Sequence, residues 1–200
     1  MLKFDEATHT YTVNGSVIPS VTQIIDEWIE IRSLYVNRYT GIAVEKESFD
    51  KARDRGKKIH KMVHLALKND LDIDSLSPEM EKVYDQFWDW FMIHRPKIIY
   101  SEEPMYSEKF GYAGTIDIVC EINKKVVVVD VKTGLYGMAG IQLAGYENLI
   151  KEWSKQWKTI PRYVLALPAN GGSYKFKRME KRTDWDTFKT MLALQNLMKF

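Results

Sequence analysis

In the first half of the chain, the pattern of apolar and polar residues predicts one short hairpin followed by helices. Asn14-Gly15 lies between two short runs of strand-forming residues, and this dipeptide favours a tight hairpin turn. Ser20 and Ser77 each precede apolar residues at helical spacing, so we expect both to be N-caps. The predicted elements are strands at residues 11–13 and 17–18, and helices after Ser20, over most of 45–67, and from Pro78 to before Pro96.

From Ile98 onward, β-branched residues replace the helical pattern and predict strands. Three strands come first, followed by a helix, two strands around Gly171-Gly172 and a closing helix. The predicted strands are residues 98–107, 115–122, 125–132, 163–167 and 174–178, and the helices are 141–153 and 184–199. This order predicts an α/β fold with a central mixed sheet flanked by helices, preceded by the N-terminal hairpin and a helical elaboration.

Length and composition favour one globular domain. The 200 residues are 45% hydrophobic and 28% charged, which suffices for a sizeable core and excludes wholesale disorder. We expect a hairpin and mainly helical part at residues 1–95, a sheet core at 96–182 and the closing helix at 183–200. The chain has 29 Lys and Arg residues and 27 Asp and Glu residues, so its net charge is only +2. An anionic ligand must therefore be bound by local clusters of charge.

The single cysteine, Cys120, excludes an internal disulfide, a four-cysteine zinc site and a cysteine-ligated iron–sulfur cluster. The first residues are polar and show no signal-peptide pattern. The longest aliphatic run, at residues 126–129, is too short for a membrane span. We therefore expect a soluble, cytoplasmic protein.

The hairpin predicted within residues 115–132 carries the candidate chemistry. With its turn at residues 123–124, Asp117 faces Asp130 across the two strands. Opposed side chains lie about 5 Å apart at Cβ, where like charges destabilise a sheet, so the two carboxylates need a cation or an unusual pKa. Lys132 follows Asp130 by two residues and projects from the same face.

The other face of this hairpin is expected to be apolar throughout, which would make the hairpin central in the sheet. That face consists of Ile116, Ile118, Cys120, Val127, Val129 and Val131. Two other interpretations remain open. The acids and Lys132 could form a purely structural ion cluster, although such a cluster is costly to bury. A register slip of one residue would also move Asp117 to the other face.

Two carboxylates on a sheet are oxygen ligands that suit a hard divalent cation, Mg²⁺ or Mn²⁺. Such a cation polarises a phosphoryl oxygen and activates water. Lys132 would orient that water and offset the negative charge that develops around phosphorus. The reaction that this set of residues serves best is hydrolysis of a phosphodiester.

Three ordered motifs resemble those of PD-(D/E)xK nucleases in the RecB-like exonuclease branch, which includes phage exonucleases and the mitochondrial genome maintenance exonuclease. They are Gly114-Thr-Ile-Asp117, Asp130-Val-Lys132-Thr-Gly and Gln142-Leu-Ala-Gly-Tyr146. Upstream, Gly56-Lys-Lys-Ile-His60 matches the helix that carries a histidine in this branch, and residues 18–25 are similar to its N-terminal segment.

The resemblance implies a restriction-endonuclease-like core with Mg²⁺ or Mn²⁺ at its site. His60, Asp117, Asp130 and the Val131 carbonyl would hold the metal, and Lys132 would assist catalysis. Many relatives carry Glu where this chain has Asp130, a replacement that the superfamily tolerates. The cysteines that bind an iron–sulfur cluster in some relatives are missing, so no cluster is expected.

The resemblance also implies roles for three further residues. Gln142 and Tyr146, four residues apart on one helix face, would border the site and contact Lys132 or the DNA backbone. Glu102 matches a supporting acid on the strand before the first motif. Because adjacent strand residues point to opposite faces, only one of Glu102 and Glu103 can reach the site, and the Glu-x-Pro context favours Glu102.

Histidines and basic residues before the sheet allow other interpretations. His60 and His64, one helical turn apart, could form a zinc pair, but the zinc-protease pattern needs Glu where Lys61 stands. His64 is therefore expected to pack or to support the site.

A basic cluster on the same helix is either a solvated face or a contact to DNA phosphates. Its members are Arg53, Arg55, Lys57, Lys58 and Lys61.

A second basic group, at residues 175–182, is weaker evidence for DNA binding because strand alternation divides it between two faces. Together, these features predict a metal-dependent DNA exonuclease of phage type that acts on DNA ends in replication, recombination or repair. A structure-selective endonuclease or resolvase, and a non-catalytic DNA-binding module of the same fold, remain alternatives. Cleavage polarity, strand preference and oligomeric state stay open.

Overall fold

The computed structural model describes residues 1–28, 46–134, 137–169 and 172–198, which excludes three residues of predicted elements, Glu45, Gly171 and Lys199. Its strands are β1 (Leu2–Asp5), β2 (Thr10–Val13), β3 (Ser16–Ile18), β4 (Lys97–Ser107), β5 (Tyr112–Ile122), β6 (Lys125–Lys132), β7 (Arg162–Ala166) and β8 (Lys175–Met179). Its helices are α1 (residues 21–28), α2 (Lys46–Leu67), α3 (Pro78–His94), α4 (Ala139–Trp153) and α5 (Asp184–Met198), with a short 3₁₀ turn at Ile73–Ser75. Within the described residues, no helix is long and apolar enough to cross a membrane.

The N-terminal hairpin forms as the Asn14-Gly15 pair predicts. β2 pairs with β3, and the turn between them has a φ of 51° at Asn14 and 87° at Gly15. A type I′ turn requires positive φ at both central positions, and Asn and Gly adopt it most readily. β1 pairs with the other edge of β2, so the element is a three-stranded antiparallel sheet.

Both predicted helix caps are present. The Ser20 hydroxyl accepts a hydrogen bond from the Gln23 amide at 3.1 Å, and the Gln23 side chain accepts one from the Ser20 amide at 2.9 Å. This reciprocal pair is a capping box, which fixes the start of α1. At α3, the Ser77 hydroxyl accepts a hydrogen bond from the Met80 amide at 3.4 Å, and Pro78 occupies the first turn.

The predicted mixed sheet is confirmed. Its strand order is β4-β5-β6-β7-β8, and all neighbours are antiparallel except β6 and β7, which are parallel. Parallel neighbours need a crossover connection, and α4 supplies it. β5 and β6 therefore lie inside the sheet with a hydrogen-bonded strand on each side.

Helices cover both faces of this sheet. On one face, α1, α4 and α5 pack against it through buried residues that include Val21, Leu143 and Phe188. On the other face, α2 and α3 pack through residues that include Ile59 and Phe87. Because the central strands are buried on both sides, their sequences are nearly continuous apolar runs, interrupted by the polar residues of the candidate site.

One residue of the predicted apolar hairpin face packs on the other side of the sheet. Ile118 belongs to the cluster with α2 and α3, as Cys120, Val127, Val129 and Val131 do, whereas Ile116 belongs to the cluster with α1, α4 and α5. The alternation of faces along β5 therefore shifts between Ile116 and Ile118. The regular pairing of β5 with β6 ends at this level, at Ile118 and Val129, and Glu102 of the other neighbouring strand has a positive φ of 51° here.

Candidate active site

The candidate site lies at the open end of the hairpin formed by β5 and β6. The two strands pair in the predicted register as far as Ile118 and Val129. Beyond this pair, the Asp117 carboxylate accepts a hydrogen bond from the Val131 amide at 2.7 Å. At this level the Asp117 side chain, instead of the β5 backbone, accepts the hydrogen bond of the β6 amide. This bond holds a buried carboxylate in place where the pairing of the two strands ends.

Asp130 and Lys132 form an ion pair on the same face of β6, as their spacing predicts. The Lys132 Nζ lies 2.9 Å from one Asp130 oxygen and 2.8 Å from the other, and Asp130 is fully buried. Burial raises the pKa of Asp130 to about 6; the charge of Lys132 opposes this shift and the charge of Asp117 adds to it. The Asp130 carboxylate therefore depends on Lys132 to remain ionised at neutral pH.

The Lys132 ammonium is a fixed positive charge. Burial acts to lower its pKa, but the charges of Asp130 and Asp117 outweigh burial and raise the pKa above its usual value. A further contribution in the same direction comes from Asp26 on α1. Lys132 therefore stays protonated at neutral pH, so it can donate hydrogen bonds and stabilise negative charge but cannot accept a proton there.

His60 projects from α2 toward the two acids on the sheet. Its Nδ1 lies 3.4 Å from an Asp117 oxygen and 3.6 Å from a Glu102 oxygen. Burial acts to lower the pKa of His60, but the charge and hydrogen bond of Asp117, with a contribution from Glu102, raise it to about 10. The pKa of Asp117 is lowered in turn, because the charge and hydrogen bond of His60 outweigh the effect of burial.

Glu102 reaches this cluster through an unusual backbone conformation. The pairs Ser101–Ile118 and Glu103–Ile116 place Glu102 opposite Asp117. A φ of 51° is uncommon for a residue with a long side chain, and such conformations cost about 1–3 kcal/mol. Of the two adjacent acids, Glu102 is the one whose carboxylate lies beside His60.

His60, Glu102 and Asp117 could hold a metal ion. Each offers one ligand atom, and these atoms all lie within 4.8 Å of one another. Two carboxylates and one imidazole fit a hard or borderline divalent cation such as Mg²⁺ or Mn²⁺. Of the four predicted ligands, the structure brings His60 and Asp117 together directly, while Asp130 is paired with Lys132. The Val131 carbonyl stays a predicted ligand; the amide of the same residue donates to Asp117.

Tyr146, on α4, is buried close to the carboxylates of Asp117 and Asp130. Its hydroxyl accepts a hydrogen bond from the Gln142 side chain at 3.0 Å, so these two predicted residues contact each other. Burial raises the pKa of Tyr146 well above its usual value, and the charges of Asp117 and Asp130 add to this shift. A Cβ atom at Gly114 would lie 2.8 Å from the Tyr146 ring, so glycine is what admits the ring at this place.

Sequence reasoning missed the contribution of the N-terminal sheet. The Tyr11 hydroxyl of β2 lies 2.6 Å from the Thr115 hydroxyl, inside the first motif, and Tyr11 is buried. Burial raises the pKa of Tyr11 to about 12; the Thr115 hydrogen bonds oppose the shift, and the charges of Glu102 and Asp117 add to it. Tyr11 is separated from the motif by about a hundred residues, so no local sequence pattern could have indicated this contact.

The remaining predicted residues lie around this centre. His64 bonds through Nδ1 to the Ser101 hydroxyl at 2.8 Å, which fits the expected supporting role. The basic residues of α2 are exposed, and Arg55 forms an ion pair of 3.8 Å with Glu79. Burial lowers the pKa of His9 in the N-terminal sheet, and the charge of Lys57 adds to this shift. The basic cluster therefore faces more than one direction around α2.

Comparison with known proteins bears on the fold. No protein-family model matches the sequence, and no curated protein matches it. Among solved structures, the crystal structure of a "putative exonuclease" from Eubacterium rectale is similar, with a TM-score of 0.51 and 12% sequence identity. The matched region covers 72% of this chain and 65% of that one. The chain shares that fold.

Proposed function

We propose that the protein is a divalent-metal-dependent deoxyribonuclease of the PD-(D/E)xK, RecB-like type. The observation that carries the proposal is the arrangement at the end of β6. There, a His60–Glu102–Asp117 cluster able to hold a metal ion adjoins a protonated Lys132 that is paired with a buried Asp130. The fold shared with a protein named as an exonuclease supports the same class of activity.

The chain supplies a position for the metal and a fixed cation beside it. His60, Glu102 and Asp117 would hold Mg²⁺ or Mn²⁺, with Asp130 and the Val131 carbonyl as the further ligands that the sequence motif implies. When bound, the cation would polarise a phosphoryl oxygen and favour attack of water on phosphorus. Lys132 would stabilise the negative charge that grows on the phosphoryl oxygens in the transition state.

The other residues would keep these groups in place. Asp130 fixes the Lys132 ammonium through both carboxylate oxygens. Gln142 and Tyr146 border the site from α4 and would bind a phosphate oxygen or orient Lys132. We propose exonuclease action on DNA ends, in a phage-type replication, recombination or repair process, on the strength of the sequence motifs and the named function of the structural neighbour.

A cleavage assay tests this function. Linear and circular DNA, each single- and double-stranded, would be incubated with Mg²⁺, Mn²⁺ or EDTA. We expect metal-dependent degradation of a linear substrate with circles spared. We also expect Lys132→Ala to reduce the rate about 10²–10³-fold, as removal of one charge-stabilising donor does in other enzymes. Lys125→Ala, an exposed lysine at the other end of β6, is the matched control and should retain full activity.

The outcomes separate the alternatives. Cleavage of circular single strands would replace the exonuclease by a structure-selective endonuclease, because only an endonuclease can cut a molecule without ends. DNA binding without cleavage in either metal, from a folded protein, would replace the enzyme by a binding module. Equal rates for Lys132→Ala and Lys125→Ala would overturn the assigned role of the site.

A further inference from the structure

An open cleft of about 950 Å³ begins where β6 ends. Lys132 is the last residue of that strand, and Thr133 and Gly134, which follow it, line the cleft. The other charged residues that line it are Arg55 of α2, Glu79 of α3, and Lys175 and Lys177 of β8. The cleft therefore begins one residue beyond the proposed catalytic lysine in the chain.

Its position in the sheet is one where ligands bind. β6 and β7 are parallel neighbours joined through α4, and the cleft lies at their carboxyl ends. In open α/β sheets, ligands bind in the crevice outside these ends. The Leu167 amide donates a hydrogen bond to the Lys132 carbonyl at 2.7 Å, which extends the pairing by one residue beyond Ala166.

The charge of the cleft is positive. Lys175 and Lys177 alternate with Phe176 on β8, so both lysines project from one face of the strand, opposite Ala166 and Val164 of β7. Across the cleft, Arg55 pairs with Glu79 at 3.8 Å, and both side chains are about half exposed, so this pair is weak and competes poorly with a bound anion. The two lysines thus leave a net positive charge.

The shape and composition of the lining favour a polymer backbone. Glycine, alanine and proline are among the lining residues, and such small residues let a ligand backbone approach closely; none of the lining residues that the structure describes is aromatic. A base therefore finds no ring on which to stack among these described residues. Recognition there would rest on contacts between basic side chains and phosphates, which carry no sequence information.

We propose that this cleft binds the phosphodiester backbone of the DNA strand adjacent to the scissile phosphate, through Lys175, Lys177 and Arg55. The proposal rests on the proposed nuclease function and adds to it the path of the substrate strand. It also gives a role to the β8 lysines, whose neighbour Arg178 lies on the other side of the strand and forms an ion pair of 2.9 Å with Glu180.

Salt-dependent DNA binding tests the proposal. The probe is a fluorescein-labelled dT oligonucleotide of twenty residues, with Ca²⁺ in place of Mg²⁺, and binding is followed by fluorescence anisotropy from 50 to 200 mM salt. Each phosphate contact to a single strand contributes about 0.7 to the slope of log K against log [salt]. The variant Lys175→Gln/Lys177→Gln should therefore bind more weakly and have a slope smaller by about 1.4.

Arg178→Gln is the matched control, since it removes a positive charge from the same strand on the opposite face. It should bind like the wild type, and Lys177→Gln alone should lower the slope by about 0.7. If Lys177→Gln and Arg178→Gln changed DNA affinity equally, the cleft proposal would be wrong. The nuclease function would still hold if the wild type cleaved DNA in a metal-dependent way. A wild-type protein that neither binds nor cuts DNA would overturn both.

Discussion

The Lys132 ammonium contacts both carboxylate oxygens of Asp130, at 2.9 and 2.8 Å, although Asp130 is fully buried. A buried pair of this kind is sensitive to loss of one partner, because the remaining charge then lacks both solvent and a counter-ion. The pair therefore links the stability of the central hairpin to the same residues that are proposed to act on DNA.

Replacement of Lys132 by Met should destabilise the protein by about 3–5 kcal/mol at neutral pH, because it leaves Asp130 buried and unpaired. Urea denaturation would measure this change. Lys132 lowers the pKa of Asp130, so its loss moves that pKa still further above the unfolded value. A raised carboxyl pKa favours the protonated folded state, so the variant should regain stability as the pH falls from 8 to 5.

The double variant Lys132→Met/Asp130→Asn is the control for this prediction, since it removes both charges. Its stability at pH 8 should exceed that of Lys132→Met alone, and the part of the pH dependence that comes from Asp130 should be lost. The raised pKa of His60 still makes both variants less stable as the pH rises above 6.5. If the two variants were equally stable at pH 8, the cost of the unpaired carboxylate would be negligible and the buried-pair argument would fail.

Metal binding should release a proton from His60. The pKa of His60 is raised to about 10 by the two acids around it, so the imidazole is protonated at pH 7.5 in the metal-free protein. A metal ligand must be deprotonated, so the cation displaces this proton. Titration calorimetry with Mn²⁺ in buffers of different ionisation enthalpy should show release of about one proton, and affinity should rise with pH up to about 10.

His64→Gln is the matched control for His60→Gln, because the two histidines lie one turn apart on α2 and burial lowers the pKa of His64. His64→Gln should still release the proton, and His60→Gln should not. Proton release that survives in His60→Gln would show that another group titrates.

Local sequence signals accounted for much of the fold. Asn14-Gly15, Ser20 and Ser77-Pro78 act through contacts within a few residues, so their turn and caps could be predicted without knowledge of the tertiary structure. The register of β5 and β6 follows from the turn at residues 123–124 in the same way. The Asp130–Lys132 contact needed only the period of a strand.

Other features depend on contacts that the sequence does not encode locally. The positive φ of Glu102 is not specified by anything in the Glu-x-Pro context, and the change of face at Ile116 breaks the simple alternation on which the prediction relied. The approach of Tyr11 to Thr115 joins two separate sheets. The cleft combines five separate parts of the chain, so its charge could be recognised only after folding.

Gly114→Ala should disturb the candidate site through Tyr146. The new methyl group would lie 2.8 Å from the Tyr146 ring and 3.2 Å from a Val21 methyl, both buried. Overpacking of this kind costs about 1–3 kcal/mol. Thermal unfolding should therefore show a lower Tm, and displacement of the ring from Gln142 should lower the cleavage rate.

Gly56→Ala is the matched control for Gly114→Ala. It makes the same chemical change within α2, where none of the residues that the structure describes, apart from the neighbouring helix backbone, lies within 4 Å of the new methyl group. Helix propensity predicts a gain of about 0.8–1.0 kcal/mol instead of a loss. Equal Tm values for the two variants would mean that the Tyr146 ring moves aside at no cost.

Glu102→Gly should make the protein more stable and less able to bind metal. Glycine adopts a φ of 51° without strain, so the substitution should recover about 1 kcal/mol of the conformational cost that Glu102 imposes. It also removes a carboxylate from the cluster of ligand atoms beside His60 and Asp117, so affinity for Mn²⁺ should fall at least tenfold.

Glu103→Gly provides the matched control, because it alters the adjacent residue of β4, whose carboxylate is not part of the cluster. Glycine in a regular strand position costs about 0.5–1 kcal/mol, so this variant should be less stable and should bind Mn²⁺ like the wild type. Opposite signs of the two stability changes, measured by urea denaturation, would mean that strain at Glu102 is retained for metal binding. A loss of stability in Glu102→Gly equal to that in Glu103→Gly would instead show that the carboxylate stabilises the metal-free fold through His60.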